Sequence, residues 1–307
     1  MPRLRLAAAL ALALVFTAPP TSAQNQNRVV LAYYYSLWDP DNFNLPAFQP
    51  EEAYNSDDGA VMERHVRQAR EAGIDGLVVS WLGNGDRTDR NLIRLLDMGQ
   101  RSGLKMTIQV DTPLFWGVED TTAQLQAFYE QRIDHPAMLT YQGRPVIFFW
   151  RVSTYDNGTW SAIRAQVDPG RRALWIADGD NLGLVAGDAW DGISPYSIAW
   201  SGDPIGQLGR WGANTQSIAP EKLWIPPVSP GCNDAAVRAL TCYRERGGGS
   251  YYQATWDGAI ASNPSWAVIV STFNEWMEST QIEPSVQYGT QYLEITRQNA
   301  DVFHAAP

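Results

Sequence analysis

The sequence has few residues of the kinds that build metal sites. Its 307 residues include two cysteines and three histidines, His65, His135 and His304. The histidines lie far apart along the chain and match no spacing typical of metal ligands. We therefore expect neither a metal site nor a cofactor in this protein.

Long hydrophobic runs are scarce as well. After position 23, no stretch approaches the roughly 18 apolar residues that a membrane-spanning helix requires. Before it, two arginines precede an apolar run at 6–16 and the small residues at 21–23, an order typical of a secretory signal peptide. We expect residues 1–23 to be removed and residues 24–307 to reach the periplasm or the extracellular space as a monomer, with no membrane attachment.

Basic side chains are fewer than acidic ones. The chain has 23 lysines and arginines against 33 aspartates and glutamates, and its net charge is -10. A surface of this sign repels nucleic acids and anionic lipids, so both classes of partner are excluded.

The only two cysteines, Cys232 and Cys242, are ten positions apart. In an exported protein this spacing favours a local disulfide that pins a loop, and a catalytic role is not expected. Two buried free thiols are the alternative.

Aromatic side chains, by contrast, are plentiful, with 13 tryptophans and 13 tyrosines. Sugar rings expose apolar C–H faces that pack on indole and phenol rings, so a glycan-binding cleft would use such side chains. The alternative is that a given aromatic side chain fills the core. We expect an oligosaccharide or a polysaccharide as the partner.

Apolar, strand-like segments alternate with helix-like segments along the chain. Strands are predicted at 28–35, 76–82, 105–111, 144–150, 173–177, 191–195, 222–227 and 266–273. Helices are predicted at about 59–72, 89–102, 121–133, 204–215, 251–262 and 289–302, with another beginning near 159. This alternation predicts an α/β fold, a single (β/α)8 TIM barrel over residues 24–307.

A doubly wound open sheet is the competing architecture. It is disfavoured because no glycine-rich phosphate loop follows the first strand. The crossover at 178–190 is short and glycine-rich, so no helix is predicted there. No proline-, glycine- or serine-rich linker divides the chain, which indicates one domain.

Functional residues of such a barrel cluster where its strands end. The candidates for substrate binding at these positions are Tyr33, Tyr34, Tyr35, Trp81, Asp111, Trp150, Tyr196, Asn274 and Trp276. Because side chains alternate along a strand, roughly half of the residues at these ends should be packing residues.

Two carboxylates follow the last buried strand, at Glu275 and Glu278. Glycosidic bond hydrolysis requires such a pair, one as acid and one as base or nucleophile. Three residues of extended chain would hold the two Cα atoms about 10 Å apart with opposed side chains, so the chain must turn near Asn274. Trp276 would wall the site and desolvate one carboxyl group. Glu283 is expected to be a loop residue that binds backbone amides.

The segment 273–284, FNEWMESTQIEP, resembles the NEWHEGTQIEP signature of the endo-α-mannosidase family of glycoside hydrolases, which has relatives associated with lipopolysaccharide biosynthesis. The segments 32–35, 72–81 and 142–146 resemble the first, second and fourth strands of that family. The resemblance spans most of the chain, and the C-terminal motif is its most specific part.

The resemblance implies a (β/α)8 barrel and metal-independent cleavage within α-mannosidic glycans, with retention of configuration. It implies that the 2-hydroxyl of the sugar is the nucleophile and that a 1,2-anhydro sugar is the intermediate. Glu275 would be the base that removes the 2-hydroxyl proton. Glu278 would be the acid that protonates the leaving group and later activates water.

The sequence departs from the family pattern at three positions. Met277 and Ser279 replace the usual histidine and glycine, and Asp111 stands where a Glu-Pro-Tyr-like segment is expected. These changes concern the glycan that is recognised more than the class of reaction. They also leave open a barrel that binds glycan, or serves polysaccharide biosynthesis, without hydrolysis.

Overall fold

The computed structural model describes residues 28–111, 117–179, 181–239 and 242–306, and the expected signal peptide lies outside these ranges. Within them, parallel strands and helices alternate. The barrel strands, first to eighth, are Val29–Tyr34, Gly76–Trp81, Lys105–Val110, Arg144–Phe149, Leu174–Ala177, Gly192–Ile193, a seventh in two pieces (Leu223–Trp224 and Pro227–Val228), and Ala267–Val270. The α-helices that follow them, first to eighth, are Gly59–Glu71, Arg87–Ser102, Val118–Gln131, Asn157–Val167, Leu182–Val185, Pro204–Ile218, Ser250–Ala261 and Gln291–Ala305.

The seventh strand closes the sheet into a barrel. Its first piece, Leu223–Trp224, pairs in parallel with the sixth strand, and its second piece, Pro227–Val228, pairs in parallel with the eighth. The eighth strand pairs with the first, and the remaining neighbours pair in chain order. The ring of strands is complete, which confirms the predicted (β/α)8 barrel and excludes the open sheet.

Side-chain alternation separates an inner core from an outer one. On the first strand, Leu31 and Tyr33 belong to the cluster inside the barrel, whereas Val30 and Tyr34 belong to the cluster between strands and helices. This follows from the two-residue period of a strand. The same alternation turns Trp81 towards the helices at the end of the second strand.

Aspartates begin several of the helices. Asp58, Asp86, Asp156 and Asp203 each accept a hydrogen bond from a backbone N–H of the first turn, at 2.7 to 2.9 Å. Such caps satisfy N–H groups that have no partner within the helix. The fifth helix, where none was predicted, has only four residues, too few to show a helical period.

A cystine-closed loop follows the seventh strand. Cys232–Asn233 pairs in antiparallel fashion with Tyr243–Arg244. Cys232 and Cys242 form a disulfide with their Cα atoms 5.8 Å apart, which confirms the predicted bond. In the part of the chain that the structure describes, no helix is long and apolar enough to cross a bilayer.

Candidate active site

A cleft of about 730 Å³ opens where the barrel strands end at their carboxyl termini. Of the predicted site residues, the cleft brings together Tyr35, Asp111, Trp150, Tyr196, Glu275 and Glu278. Among the described residues, no group of three or more His, Cys, Asp or Glu side chains is arranged to hold a metal ion. The polar groups that line the cleft include carboxyl groups, the phenols of Tyr35 and Tyr196 and the guanidinium of Arg238.

The acidic segment turns back on itself directly after the eighth strand. The N–H of Glu275 donates to Oγ1 of Thr272 (2.7 Å), and the N–H of Ser279 donates to the carbonyl oxygen of Trp276 (3.0 Å). Because of this turn, Glu275 and Glu278 line the same cleft, which an extended chain with their spacing would not allow.

Glu275 is only 9% exposed. Its Oε1 accepts a hydrogen bond from the N–H of Met277 (3.0 Å). Burial and the nearby carboxylate of Glu278 raise the pKa of Glu275 to about 8. Burial beside a second carboxyl group therefore favours the protonated form of Glu275.

Glu278 is the more accessible carboxyl group, with 28% of its side chain exposed. Its Oε1 forms an ion pair with Nη2 of Arg238. Burial raises the pKa of Glu278, and the Arg238 guanidinium opposes that shift.

Two phenol groups meet at the cleft, with the hydroxyl oxygens of Tyr35 and Tyr196 2.6 Å apart. Burial raises the pKa of both tyrosines well above its ordinary value, and nearby carboxylates add to the shift. Both hydroxyl groups stay neutral and can donate to or accept from sugar hydroxyls. Oδ1 of Asp178 accepts the N–H of Tyr196 (2.7 Å) and fixes its position.

Asp111 lines the cleft just past the end of the third strand and is 8% exposed. Ser80, at the end of the second strand, donates its hydroxyl to Oδ2 of Asp111. Burial raises the pKa of Asp111 to about 7, a shift that Ser80 opposes and the charge of Asp178 increases. Asp111 is thus poised between its neutral and ionised forms near neutral pH.

Three of the predicted sugar-contacting residues lie beneath the cleft surface. Tyr33 is 1% exposed and packs inside the barrel against Tyr196, with ring centroids 5.1 Å apart. Tyr34 faces the outer core, where its hydroxyl lies 2.9 Å from Nδ1 of His65. The fully buried indole of Trp81 donates to a carboxylate of the second helix (3.1 Å). For these residues we replace the predicted sugar contact with a packing role.

Asn274 and Trp276 are also fully buried. The amide of Asn274 accepts the N–H of Tyr35 (2.7 Å) and donates to its carbonyl oxygen (2.8 Å). The indole of Trp276 donates to Oε2 of Glu283 (3.1 Å) and packs edge-on against Phe43. Neither side chain lines the cleft, so we replace sugar contact with a role in positioning the acidic turn.

Glu283 anchors this buried support. Its Oε1 lies 2.8 Å from Nε2 of His65, and its Oε2 accepts the hydroxyl of Tyr54 (2.8 Å). Its partners are side chains, rather than the backbone amides expected from the sequence. The network ties the first helix and the first loop to the segment that carries both cleft carboxylates.

Sequence reasoning missed Arg238, Ser80 and Arg87. Arg87 donates to the carbonyl oxygens of Leu37 (2.9 Å) and Trp38 (3.0 Å) and thereby clamps the loop that forms one wall of the cleft. The sequence offered one indication for Arg238, because this residue lies between Cys232 and Cys242 in the loop that the predicted disulfide closes. Ser80 would have been found if the phase of side-chain alternation had been known.

Solved structures share the fold. The endo-alpha-mannosidase of glycoside hydrolase family 99 from Bacteroides thetaiotaomicron superposes with a TM-score of 0.79 at 24% identity, covering 90% of this chain and 97% of that one. A family 5 glycoside hydrolase from Streptomyces cattleya gives a TM-score of 0.64 at 11% identity, covering 92% and 82%. At these identities the likeness shows the barrel architecture.

Sequence relatives extend the comparison. The glycoprotein endo-alpha-1,2-mannosidase of Mus musculus is 25% identical over 302 residues, covering 86% of this chain and 65% of the mouse protein. That of Rattus norvegicus is 26% identical over 296 residues, covering 84% and 64%. The chain thus spans slightly less than two thirds of the length of these relatives.

The sequence profile of the family described as Glycosyl hydrolase family 99 matches residues 39–305. This range includes the whole acidic turn and every barrel strand after the first. This match covers most of the chain and confirms the resemblance carried by segment 273–284. The chain belongs to glycosyl hydrolase family 99.

Proposed function

We propose that this protein is an endo-acting glycoside hydrolase that cleaves α-mannosidic or related α-linked glycans with retention of configuration. The observation that carries the proposal is the convergence of Glu275 and Glu278 on one aromatic-lined cleft. Membership of family 99 and relatives named as endo-alpha-1,2-mannosidases support the substrate class.

In the first step, Glu275 as carboxylate removes the proton of the sugar 2-hydroxyl while that oxygen attacks the anomeric carbon. Glu278 gives its proton to the departing glycosidic oxygen, and the bond to the leaving group breaks. The product of the step is a 1,2-anhydro sugar. Tyr35, one of whose neighbours is Glu275, is placed to bind the ring that reacts.

In the second step, Glu278 as carboxylate removes a proton from water, and the water oxygen attacks the anomeric carbon. The bond between that carbon and the 2-oxygen breaks, and Glu275 returns its proton to the 2-oxygen. Two inversions at one carbon give net retention. The pair carries one proton between them throughout, and the raised pKa of both groups favours such a shared proton. Before the first step this proton must move from Glu275, where burial favours it, to Glu278, which gives it to the leaving group.

The cleft offers contacts for the remaining sugar hydroxyls. The phenols of Tyr35 and Tyr196 and the carboxyl group of Asp111 would bind hydroxyls, and the half-buried indole of Trp150 would pack on a sugar face. Met277 presents an apolar side chain to the cleft beside the two carboxylates, which limits polar contacts at that point.

The test compares the wild type with Glu275→Gln and Glu278→Gln on α-mannan and a panel of other α-glycans, with product stereochemistry followed by NMR. We expect release of internal oligosaccharide fragments by the wild type and a loss of about 10²–10⁴-fold in each variant. Glu71→Gln, an exposed glutamate of the first helix, is the matched control and should keep full activity.

Unchanged cleavage in both glutamine variants would remove the assigned roles. Binding of glycan by the wild type without any cleavage would instead favour the alternative of a non-hydrolytic glycan-binding barrel. An inverted product would contradict the two-step route while leaving hydrolysis in place.

Export is part of the proposal. The disulfide between Cys232 and Cys242 is of a kind that persists in the periplasm and outside the cell. Mass spectrometry of the protein purified from its host should find a chain that begins at Gln24, and size-exclusion chromatography with light scattering should find a monomer. A retained leader peptide or a cytoplasmic location would contradict this part.

A further inference from the structure

We propose that Arg238 is a positioning residue for the proposed reaction: its guanidinium holds Glu278 in the carboxylate form, and the loop closed by Cys232 and Cys242 delivers it to the cleft. The inference rests on the proposed function, in which Glu278 alternates between acid and base. It assigns a task to a residue that lies 40 positions before its partner in the chain.

The contact joins two parts of the barrel mouth. Nη2 of Arg238 donates to Oε1 of Glu278, and Nε of Arg238 lies 3.3 Å from Oδ2 of Asp234. One planar guanidinium therefore contacts two carboxylates at once, in a fixed geometry that a lysine ammonium on a flexible stem does not impose. Asp234 is 2% exposed, and its buried carboxylate orients the guanidinium through the contact with Nε.

The loop is fastened on the other side as well. The N–H of Asn233 donates to the carbonyl oxygen of Glu278 (2.8 Å), and the N–H of Cys242 donates to Oδ1 of Asp234 (3.0 Å). The disulfide joins the two ends of the loop next to these bonds. The backbone that carries Arg238 is thus held against the backbone that carries Glu278.

The charged and titratable groups around Glu278 come from several elements. Arg238 and Asp234 lie on the cystine-closed loop, Glu275 lies on the same turn as Glu278, and Tyr35 and Tyr196 lie just after the first and sixth strands. Among these neighbours Arg238 is the cation. Without it, burial and the negative neighbours would all favour the protonated form of Glu278.

The consequence concerns the second step, in which Glu278 must be a carboxylate to activate water. Arg238 stabilises that form and fixes which oxygen faces it. Its side chain is 46% exposed, so it can withdraw when the leaving-group oxygen takes its place at Glu278 in the first step. Removing Arg238 should leave a more basic Glu278 that stays protonated to higher pH.

The experiment follows the titration of Glu278 directly, by NMR of protein labelled with ¹³C at the glutamate carboxyl carbon. The resonance of Glu278 is assigned as the one missing from Glu278→Gln. We expect Arg238→Met to raise the titration midpoint of this resonance by about one pH unit or more, and to move the pH optimum of kcat in the same direction. Arg238→Lys should give a smaller shift, since it keeps the charge and loses the double contact.

Two further variants sharpen the test. Arg210→Met removes an exposed arginine of the sixth helix that pairs with Asp203 (3.8 Å), and it should leave both the midpoint and the pH optimum unchanged. The double variant Cys232→Ser, Cys242→Ser should raise the midpoint as Arg238→Met does, because the loop is released.

An unchanged midpoint in Arg238→Met would overturn the inference, whatever the activity. A raised midpoint in a protein that cleaves no glycan would support the contact and count against the proposed function instead. If Arg238→Met fails to fold by circular dichroism, Arg238→Gln, which removes the charge and keeps a polar side chain, decides, and a midpoint identical to that of the wild type overturns the inference.

Discussion

Asn274 binds both backbone polar groups of Tyr35, through an N–H···O contact of 2.7 Å and a carbonyl contact of 2.8 Å. The two residues follow the eighth and the first strand, which are neighbours at the seam of the barrel. The amide therefore latches a cleft tyrosine to the segment that carries Glu275. Its place next to Glu275 in sequence agrees with this structural task.

Replacing Asn274 should weaken both the fold and the proposed activity. Asn274→Ala leaves the N–H and carbonyl of Tyr35 without partners in a buried place, at a cost of about 2 kcal/mol or more in unfolding free energy. Tyr35 would lose its fixed position opposite Tyr196, so kcat/KM should fall. Urea unfolding and the glycan assay measure the two effects, with Asn214→Ala, on an exposed helical face, as control. A stable but inactive Asn274→Ala would contradict the latch and indicate direct contact with the sugar.

Two of the three tryptophans predicted to bind sugar, Trp150 and Trp81, should respond in opposite ways. Trp150→Ala removes a half-buried side chain of the cleft, so we expect KM to rise several-fold with little change in melting temperature. Trp81→Phe disturbs a buried indole and its hydrogen bond, so we expect a loss of about 1–3 kcal/mol in unfolding free energy with KM unchanged. Thermal unfolding and Michaelis–Menten kinetics on both variants separate the roles. A raised KM in Trp81→Phe at unchanged stability would restore its predicted sugar contact.

The barrel was predictable because its strands are short apolar runs, mostly buried on both faces, and because helix-like segments alternate with them along the chain. Glu275 and Glu278 were predictable for a related reason. The fold of a buried strand does not require two carboxylates directly after it, so their presence indicates a function. The segment 273–284 also resembles a family motif.

The phase of alternation was not predictable. Neighbouring side chains of a strand point to opposite faces, so only one of Ser80 and Trp81 can face the cleft. Barrel closure decides which one, and the prediction from sequence chose the larger side chain, Trp81, whereas Ser80 lines the cleft. Arg238 was hidden for another reason. Its contact with Glu278 depends on the path of a cystine-closed loop, and no local pattern records such a long-range pairing.

The buried pair of His65 and Glu283 should be essential to the stability of the acidic turn. Glu283→Gln replaces the carboxylate acceptor of Tyr54 and Trp276 and its contact with His65 by a neutral amide, so we expect a loss of about 1–3 kcal/mol in unfolding free energy. A double-mutant cycle with His65→Gln measures the coupling, which should exceed about 1 kcal/mol. Additive effects of the two substitutions would show that the 2.8 Å contact contributes nothing specific.

Glu275 should make the folded protein less stable as pH rises. Its pKa in the fold, about 8, lies above its ordinary value near 4.5. Between these values the folded protein keeps a proton that the unfolded chain has released, so the unfolding free energy falls with increasing pH. The stabilisation is complete below about 4.5 and lost above about 8. Glu275→Gln has no such proton, so the variant should gain on the wild type by a few kcal/mol across this range.

Urea unfolding of wild type, Glu275→Gln and the control Glu71→Gln at pH 4.5, 6.5 and 8.5 measures this difference. The stability of Glu275→Gln relative to the wild type should increase at each step, whereas that of Glu71→Gln should stay constant. A gap between Glu275→Gln and the wild type that does not change with pH would contradict the raised pKa. If this difference in unfolding free energy grows with pH, the buried carboxyl group of Glu275 destabilises the fold when it ionises. The protein would then retain a destabilising group at the position where the proposed proton transfer requires a carboxyl group beside Glu278.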